Sequence, residues 1–178
     1  PISVPETVAR EVKIKAGSDS RFAPASGVWA KLEGAKWLEV LSDDITPQLA
    51  EAVQRISSLP MGQRLRRAKD LGEVMVIAHA ATYAEAGVDT TILMDDGAGA
   101  RLATAEISRA QRLKERGDPW GDILLVNTCT VLATAAREKY IPGRNTMRAV
   151  YKNMMVCDDG LVDISLTSLL SNQTWAPK

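Results

Sequence analysis

The stretch TTILMDDGAGARLA, residues 90–103, decides how the chain is read: an apolar, β-branched run stops at two aspartates and turns into a small-residue segment. β-branched residues suit a buried strand, so VDTTILM predicts a strand. AGARLATAEISRAQRLKERG predicts the helix after it, ended by Gly117. Two like charges side by side at a strand end call for a reason. Asp96 can act as an N-cap, accepting free amide hydrogens of the helix for about 1 kcal/mol. That accounts for one carboxylate, whereas a second beside it adds repulsion that a neutral residue would avoid.

Outward from this point the chain alternates. Downstream, DPWGD reads as a turn and DILLVN as a short apolar strand without polar alternation, the pattern of a parallel strand covered by helices on both faces. TVLATAAREKYI and MRAVYKNMMV predict helices separated by PGRN. DDGLVDISLTSLLS reads as a final strand or helix before the polar tail NQTWAPK. Upstream, MGQRLRRAKDLGEVMVIAHAATYAEAG predicts a helical region stopped by Gly87. ITPQLAEAVQRISSLP predicts an amphipathic helix capped by Thr46, with Pro47 in its first turn and Ile45, Leu49, Ala52, Val53 and Ile56 at helical spacing. WLEVL reads as a strand, residues 16–27 as a loop, and ISV as a strand followed by a helix beginning at Pro5 and Glu6. Alternating strands and helices place the chain in the α/β class, with a parallel sheet flanked by helices. The sequence shows no internal repeat.

Composition sets the limits. With 178 residues, 46% of them hydrophobic, the chain is long enough for one domain with a core. Lys plus Arg equals Asp plus Glu at 22 each, so a nucleic acid would have to be met by a local basic patch. Cys129 and Cys157 lack metal-ligand spacing, and His79, the single histidine, cannot complete a zinc set with them; both read as buried thiols of a reducing compartment. No run approaches the ~18 apolar residues of a membrane span, and the N-terminus lacks the signal-peptide pattern. The expectation is a cytoplasmic protein without a membrane partner. Its alanine-rich and methionine-containing helices suit the face of a homo-oligomer.

Ligand sites in open parallel sheets form beyond the carboxyl ends of the strands, where Asp95 and Asp96 stand. Glu73 heads a helical stripe of Val76, Ile77, Ala80, Ala81 and Ala84, which sets its carboxylate at the edge of a buried face; an acid in a first turn also simply complements the helix dipole. Carboxylates converging at one sheet edge repel unless a divalent cation binds them, and hard oxygen ligands suit Mg²⁺ or Mn²⁺. Asn127 and Thr128 end the next strand, able to hold a metal-bound water or a phosphate oxygen, or merely to cap a helix. Arg64, Arg66, Arg67 and Lys69 precede Glu73, and Arg101 follows Asp96 by about a turn; together they could hold a phosphodiester backbone, or form an ordinary solvated face. Adjacent aspartates with a hydroxyl at the next strand end also describe the phospho-acceptor of a signalling receiver. No lysine ends a later strand to complete that set.

The succession DLGEVMVIAHAATYAEAG, TILMDDGAGARLA, ILLVNTCTVLATAAREKYI resembles the second half of a PIN domain, and ISVPETVAREV resembles that family's second strand and its Pro-Glu helix. The likeness covers residues 1–152, interrupted near 16–40. It implies a three-layer α/β/α sandwich with a parallel, Rossmann-like sheet: a PIN-like domain over 1–155 with a loop or insertion near 16–40, and a C-terminal extension over 156–178. By position, Glu73 matches the family's second acid and Asp96 its third, with Asp95 assisting, and Asn127 and Thr128 fall where some members have a fourth polar or acidic residue. The family's first acid would stand on a strand before ISV, and Asp19, in a polar loop, does not take that place. The resemblance implies a metal-dependent ribonuclease of toxin-antitoxin type acting on single-stranded RNA. Glu73 and Asp96 would bind Mg²⁺ or Mn²⁺, and an antitoxin or other protein would be a partner. The alternative is a catalytically inactive PIN-like scaffold that binds a protein or RNA.

Overall fold

The computed structural model describes residues 1–158 and 160–176. The class is mixed α/β with helix predominating. The chain divides into two compact units, Pro1–Ile92 with Gly97–Leu125, and Leu93–Asp96 with the chain from Val126 onward.

In the first unit, β1 (Ile2–Pro5) leads directly into α1 (Glu6–Ser18). The expected loop over 16–27 is instead mostly helical: α1 runs to Ser18, a single 3₁₀ turn spans Ser20–Phe22, and α2 covers Pro24–Gly34. The punctuating residues act here as helix starts, since the Asp19 carboxylate accepts the Arg21 amide and Pro24 takes the first position of α2, where its missing N–H costs nothing. β2 (Leu38–Leu41) then pairs parallel to β1, in register from Ile2 with Leu38 to Pro5 with Leu41.

Thr46 and Pro47 start α3 (Pro47–Ser57) as expected, with the Thr46 hydroxyl accepting the Leu49 amide. The next helical region is broken in two, α4 (Met61–Arg64) and α5 (Leu71–Glu85), around an irregular stretch ending at Asp70 in the left-handed conformation, φ 54°. Leu49, Val53, Met61, Val74, Met75, Ala78 and Ala81 make the core between these helices. α5 is buried almost all round, so the stripe expected to start at Glu73 is not a single face; Glu73, Val76 and His79 lie on its less buried side. After Gly87 (φ 81°) come β3 (Thr90–Leu93) and, beyond the aspartates, α6 (Gly97–Glu115), followed by Gly117 at φ 98°. Arg55 of α3 bonds Glu106 of α6 at 2.8 Å and Glu85 of α5 at 3.0 Å, so the buried Glu106 carboxylate is neutralised where it sits.

β4 (Ile123–Val126) pairs with β3. The Thr90 amide donates to the Asp122 carbonyl and the Met94 amide to that of Val126; both strands advance together, which makes the pair parallel. Among the described residues the strands are thus joined two by two, β1 with β2 and β3 with β4.

The second unit holds α7 (Thr128–Arg137), α8 (Arg144–Cys157) and the short α9 (Asn172–Trp175). Among its described residues, the segment expected as a final strand or helix contributes only a 3₁₀ turn at Ile164–Leu166, started by Asp163, whose carboxylate accepts the Ser165 amide. Leu132, Ala136, Ile141, Met147, Tyr151 and Leu169 form this unit's core. Cys129 and Cys157 are half-buried and stand as thiols, outside any disulfide among the described residues.

Candidate functional site

The expected acids divide between the two units: Glu73 belongs to the first, Asp95 and Asp96 to the second. Each has been placed by its local chain. The Arg64 guanidinium donates to the carbonyls of Arg67 at 2.5 Å and Lys69 at 2.6 Å, bracing the irregular stretch that delivers Glu73 into the first turn of α5. Arg64 is consequently 5% exposed, which withdraws it from any surface offered to a polyanion and makes it a structural brace. Arg66, Arg67, Lys69 and Arg101 are exposed, as a phosphate-facing set requires.

Near Glu73 stands a second acid that sequence reading missed. Burial, with the nearby Glu73 charge adding to it, raises the pKa of Glu11 on α1 above the usual carboxylate range. The two helices come this close because residue 72 is glycine. A Cβ there would lie 3.0 Å from the Glu11 carboxylate oxygen and 3.2 Å from a Val8 methyl.

One turn and a half further along α5 stands His79, which the sequence excluded from zinc binding without assigning it a partner. Its Nε2 lies 2.9 Å from Asp43, whose carboxylate also accepts the Thr7 amide at 2.7 Å and the Thr7 hydroxyl at 2.5 Å. The Asp43 and His79 side chains are only 8% and 12% exposed. Burial pushes the Asp43 carboxyl up, but the hydrogen bonds from His79 and Thr7 and the His79 charge outweigh it, leaving the pKa below the ordinary aspartate value. Thr7, Asp43 and His79 thus make a hydrogen-bonded cluster that ties α1 and α5 to the chain just beyond β2.

In the second unit the Asp95 carboxylate accepts the Thr128 amide at 3.0 Å and the Thr128 hydroxyl at 2.5 Å. Asn127 caps α7, its side-chain oxygen taking the amide and hydroxyl of Thr130, both at 2.9 Å. The helix-capping role weighed for Asn127 is therefore present. Thr128 is the partner of Asp95, and Asp96 is the exposed acid that follows. The Tyr151 hydroxyl, which donates to the Val162 carbonyl, has its pKa raised by burial, by Cys129 and by the Asp163 and Asp95 charges.

The signal for Asp43 was in the sequence: LSDD at 41–44 repeats LMDD at 93–96, a strand end, one residue, then two aspartates. Among the described residues no group of three or more His, Cys, Asp or Glu side chains stands in a metal-holding arrangement, and no helix is long and apolar enough to cross a membrane. No family model, curated protein or solved structure gives a significant match to the chain.

Proposed function

We propose that the chain is a PIN-like, metal-dependent endoribonuclease for single-stranded RNA, built on a three-layer α/β/α arrangement and working in the cytoplasm. One observation carries the reading: the parallel pair β3–β4 ends in Asp95 and Asp96, the position at which open α/β sheets bind ligands. Glu73, in the first turn of α5 with the Glu11 charge of α1 nearby, supplies a second acidic locus of the kind that the family resemblance requires. By the family resemblance, Glu73 and Asp96 are each candidate ligands for Mg²⁺ or Mn²⁺, and Asp95, bonded to Thr128, would fix the backbone from which Asp96 projects. A bound divalent ion supplies charge neutralisation at the phosphodiester and a water of lowered pKa. The exposed Arg66, Arg67 and Arg101 hold the RNA backbone by charge, independently of sequence.

The test is Mg²⁺ and Mn²⁺ titration, with cleavage of a single-stranded RNA, on the parent chain and on Glu73→Gln and Asp96→Asn. Each substitution is expected to weaken cation binding and to lower cleavage by at least ~100-fold; unchanged binding in both variants removes the metal site.

A second reading, a PIN-like scaffold without catalysis, is favoured by the strand faces. Ile2, Val40, Leu93 and Leu124 are 60%, 39%, 54% and 58% exposed, although parallel strands are ordinarily covered on both faces. An antitoxin-like protein or a second copy of the chain would cover them. Protein that cleaves no RNA yet forms a stable complex or homo-oligomer, measured by light scattering, supports this reading over the first.

A further inference from the structure

The second unit contains a cleft of about 410 Å³ between one face of α7 and the C-terminal segment. Asn127, Thr130 and Arg137 recur along that face at helical spacing, and Ser168 and Gln173 stand on the opposite wall. Arg137 is the one formal charge among the lining residues, and no carboxylate joins them. Its guanidinium donates to the Thr134 hydroxyl at 3.1 Å and makes no ion pair among the described residues. Capping consumes the Asn127 side-chain oxygen but not its NH₂ group, and the Ser168 hydroxyl and the Gln173 carboxamide make no side-chain hydrogen bond among the described residues. The cleft therefore offers one fixed positive charge and, facing one another, uncharged carboxamide and hydroxyl groups.

That chemistry selects a ligand with one anionic group and a neutral, hydrogen-bonding body. The volume lies at the small end of the ~300–1,000 Å³ typical of small-molecule sites, which suits one nucleotide. A guanidinium matches a phosphate, and carboxamides match the exposed edges of an unstacked base. We propose that this cleft binds a single nucleoside monophosphate unit, either free or as one residue of an RNA strand, next to the Asp95–Thr128 pair. The preference for a nucleotide over other phosphoesters rests on the RNA reading above, whereas the anion and carboxamide geometry does not.

The experiment is calorimetric titration of the full chain in EDTA with the four 5′-nucleoside monophosphates, a trinucleotide and inorganic phosphate. At least one mononucleotide or the trinucleotide is expected to bind more tightly than phosphate. Arg137→Gln should weaken that binding by about tenfold or more, and Ser168→Ala combined with Gln173→Ala, both exposed and tolerant of substitution, by several-fold. Bound nucleotide should slow alkylation of Cys129, which lines the cleft, relative to Cys157. Trinucleotide binding at least as tight as mononucleotide binding assigns the site to a strand residue; tighter mononucleotide binding assigns it to a free nucleotide. Phosphate binding as tightly as every nucleotide, or nucleotide binding untouched by both sets of substitutions, overturns the proposal. The titration is run in EDTA and reads nucleotide affinity, whereas the metal site is read by Mg²⁺ and Mn²⁺ titration, so failure of the metal-site reading and failure of this one give different results.

Discussion

The two parallel strand pairs end in the same device placed in opposite surroundings. At β1–β2, Asp43 stands two positions beyond Leu41 and receives the amide and hydroxyl of Thr7, itself two positions beyond Pro5. At β3–β4, Asp95 stands two positions beyond Leu93 and receives the amide and hydroxyl of Thr128, two positions beyond Val126. In each case a carboxylate after one strand satisfies the first-turn groups of the helix after its neighbour, tying the two strand ends together. The difference is burial. Asp43 is enclosed and has a third hydrogen bond, with His79, whereas Asp95 is exposed to solvent and to any ligand that reaches the strand ends. The same bond set therefore serves as a lock in one place and as an accessible acidic rim in the other.

This contrast is open to direct attack, beginning with its largest expected effect. Asp43→Ala strands the Thr7 amide and hydroxyl and leaves His79 without its acceptor in a buried setting, and should cost about 2–3 kcal/mol in denaturant unfolding. A loss no greater than that of Asp95→Ala would break the comparison. The acid limb of the stability curve follows from the same residue. The Asp43 pKa is lower folded than unfolded, so its contribution is fully present above the unfolded value of about 3.9 and disappears as pH falls through the folded one. Asp43→Asn should flatten that part of the stability curve below about pH 4.

Asp95→Ala, at the exposed counterpart, should cost about 1 kcal/mol or less, because water replaces the lost acceptor for Thr128. Smallest of all, Thr128→Val, which keeps the amide bond and removes only the hydroxyl, should shift stability by a few tenths of a kcal/mol. Thr7→Val at its 6% exposed position should exceed it; equal effects would show that burial does not separate the two pairs.

Much of the first unit was legible because periodicity and caps are local. Thr46 and Pro47 marked α3, Gly87 and Gly117 marked the ends of α5 and α6, and the apolar runs at 90–94 and 123–126 marked β3 and β4. The 16–27 stretch misled because Ser, Asp and Pro start helices as readily as they make loops, and only the surrounding chain decides which. Arg64 read as part of an exposed basic run, phosphate-facing or merely solvated, because sequence counts its charge and not the two carbonyls that absorb it. His79 was excluded from a zinc set but given no partner, because Asp43 lies 36 positions away in the chain.

By itself, then, the sequence determined the local order of strands and helices, their punctuation, and the acids at the end of β3, since those depend on propensities and neighbours within a few residues. Which carboxylates meet which donors was decided by tertiary structure alone. Parallel pairing brings together residues 33 and 36 positions apart, and burial of one pair but not the other turns identical chemistry into a lock or a rim. No local pattern encodes that enclosure, because it comes from the packing of α1 and α5 around the end of β2.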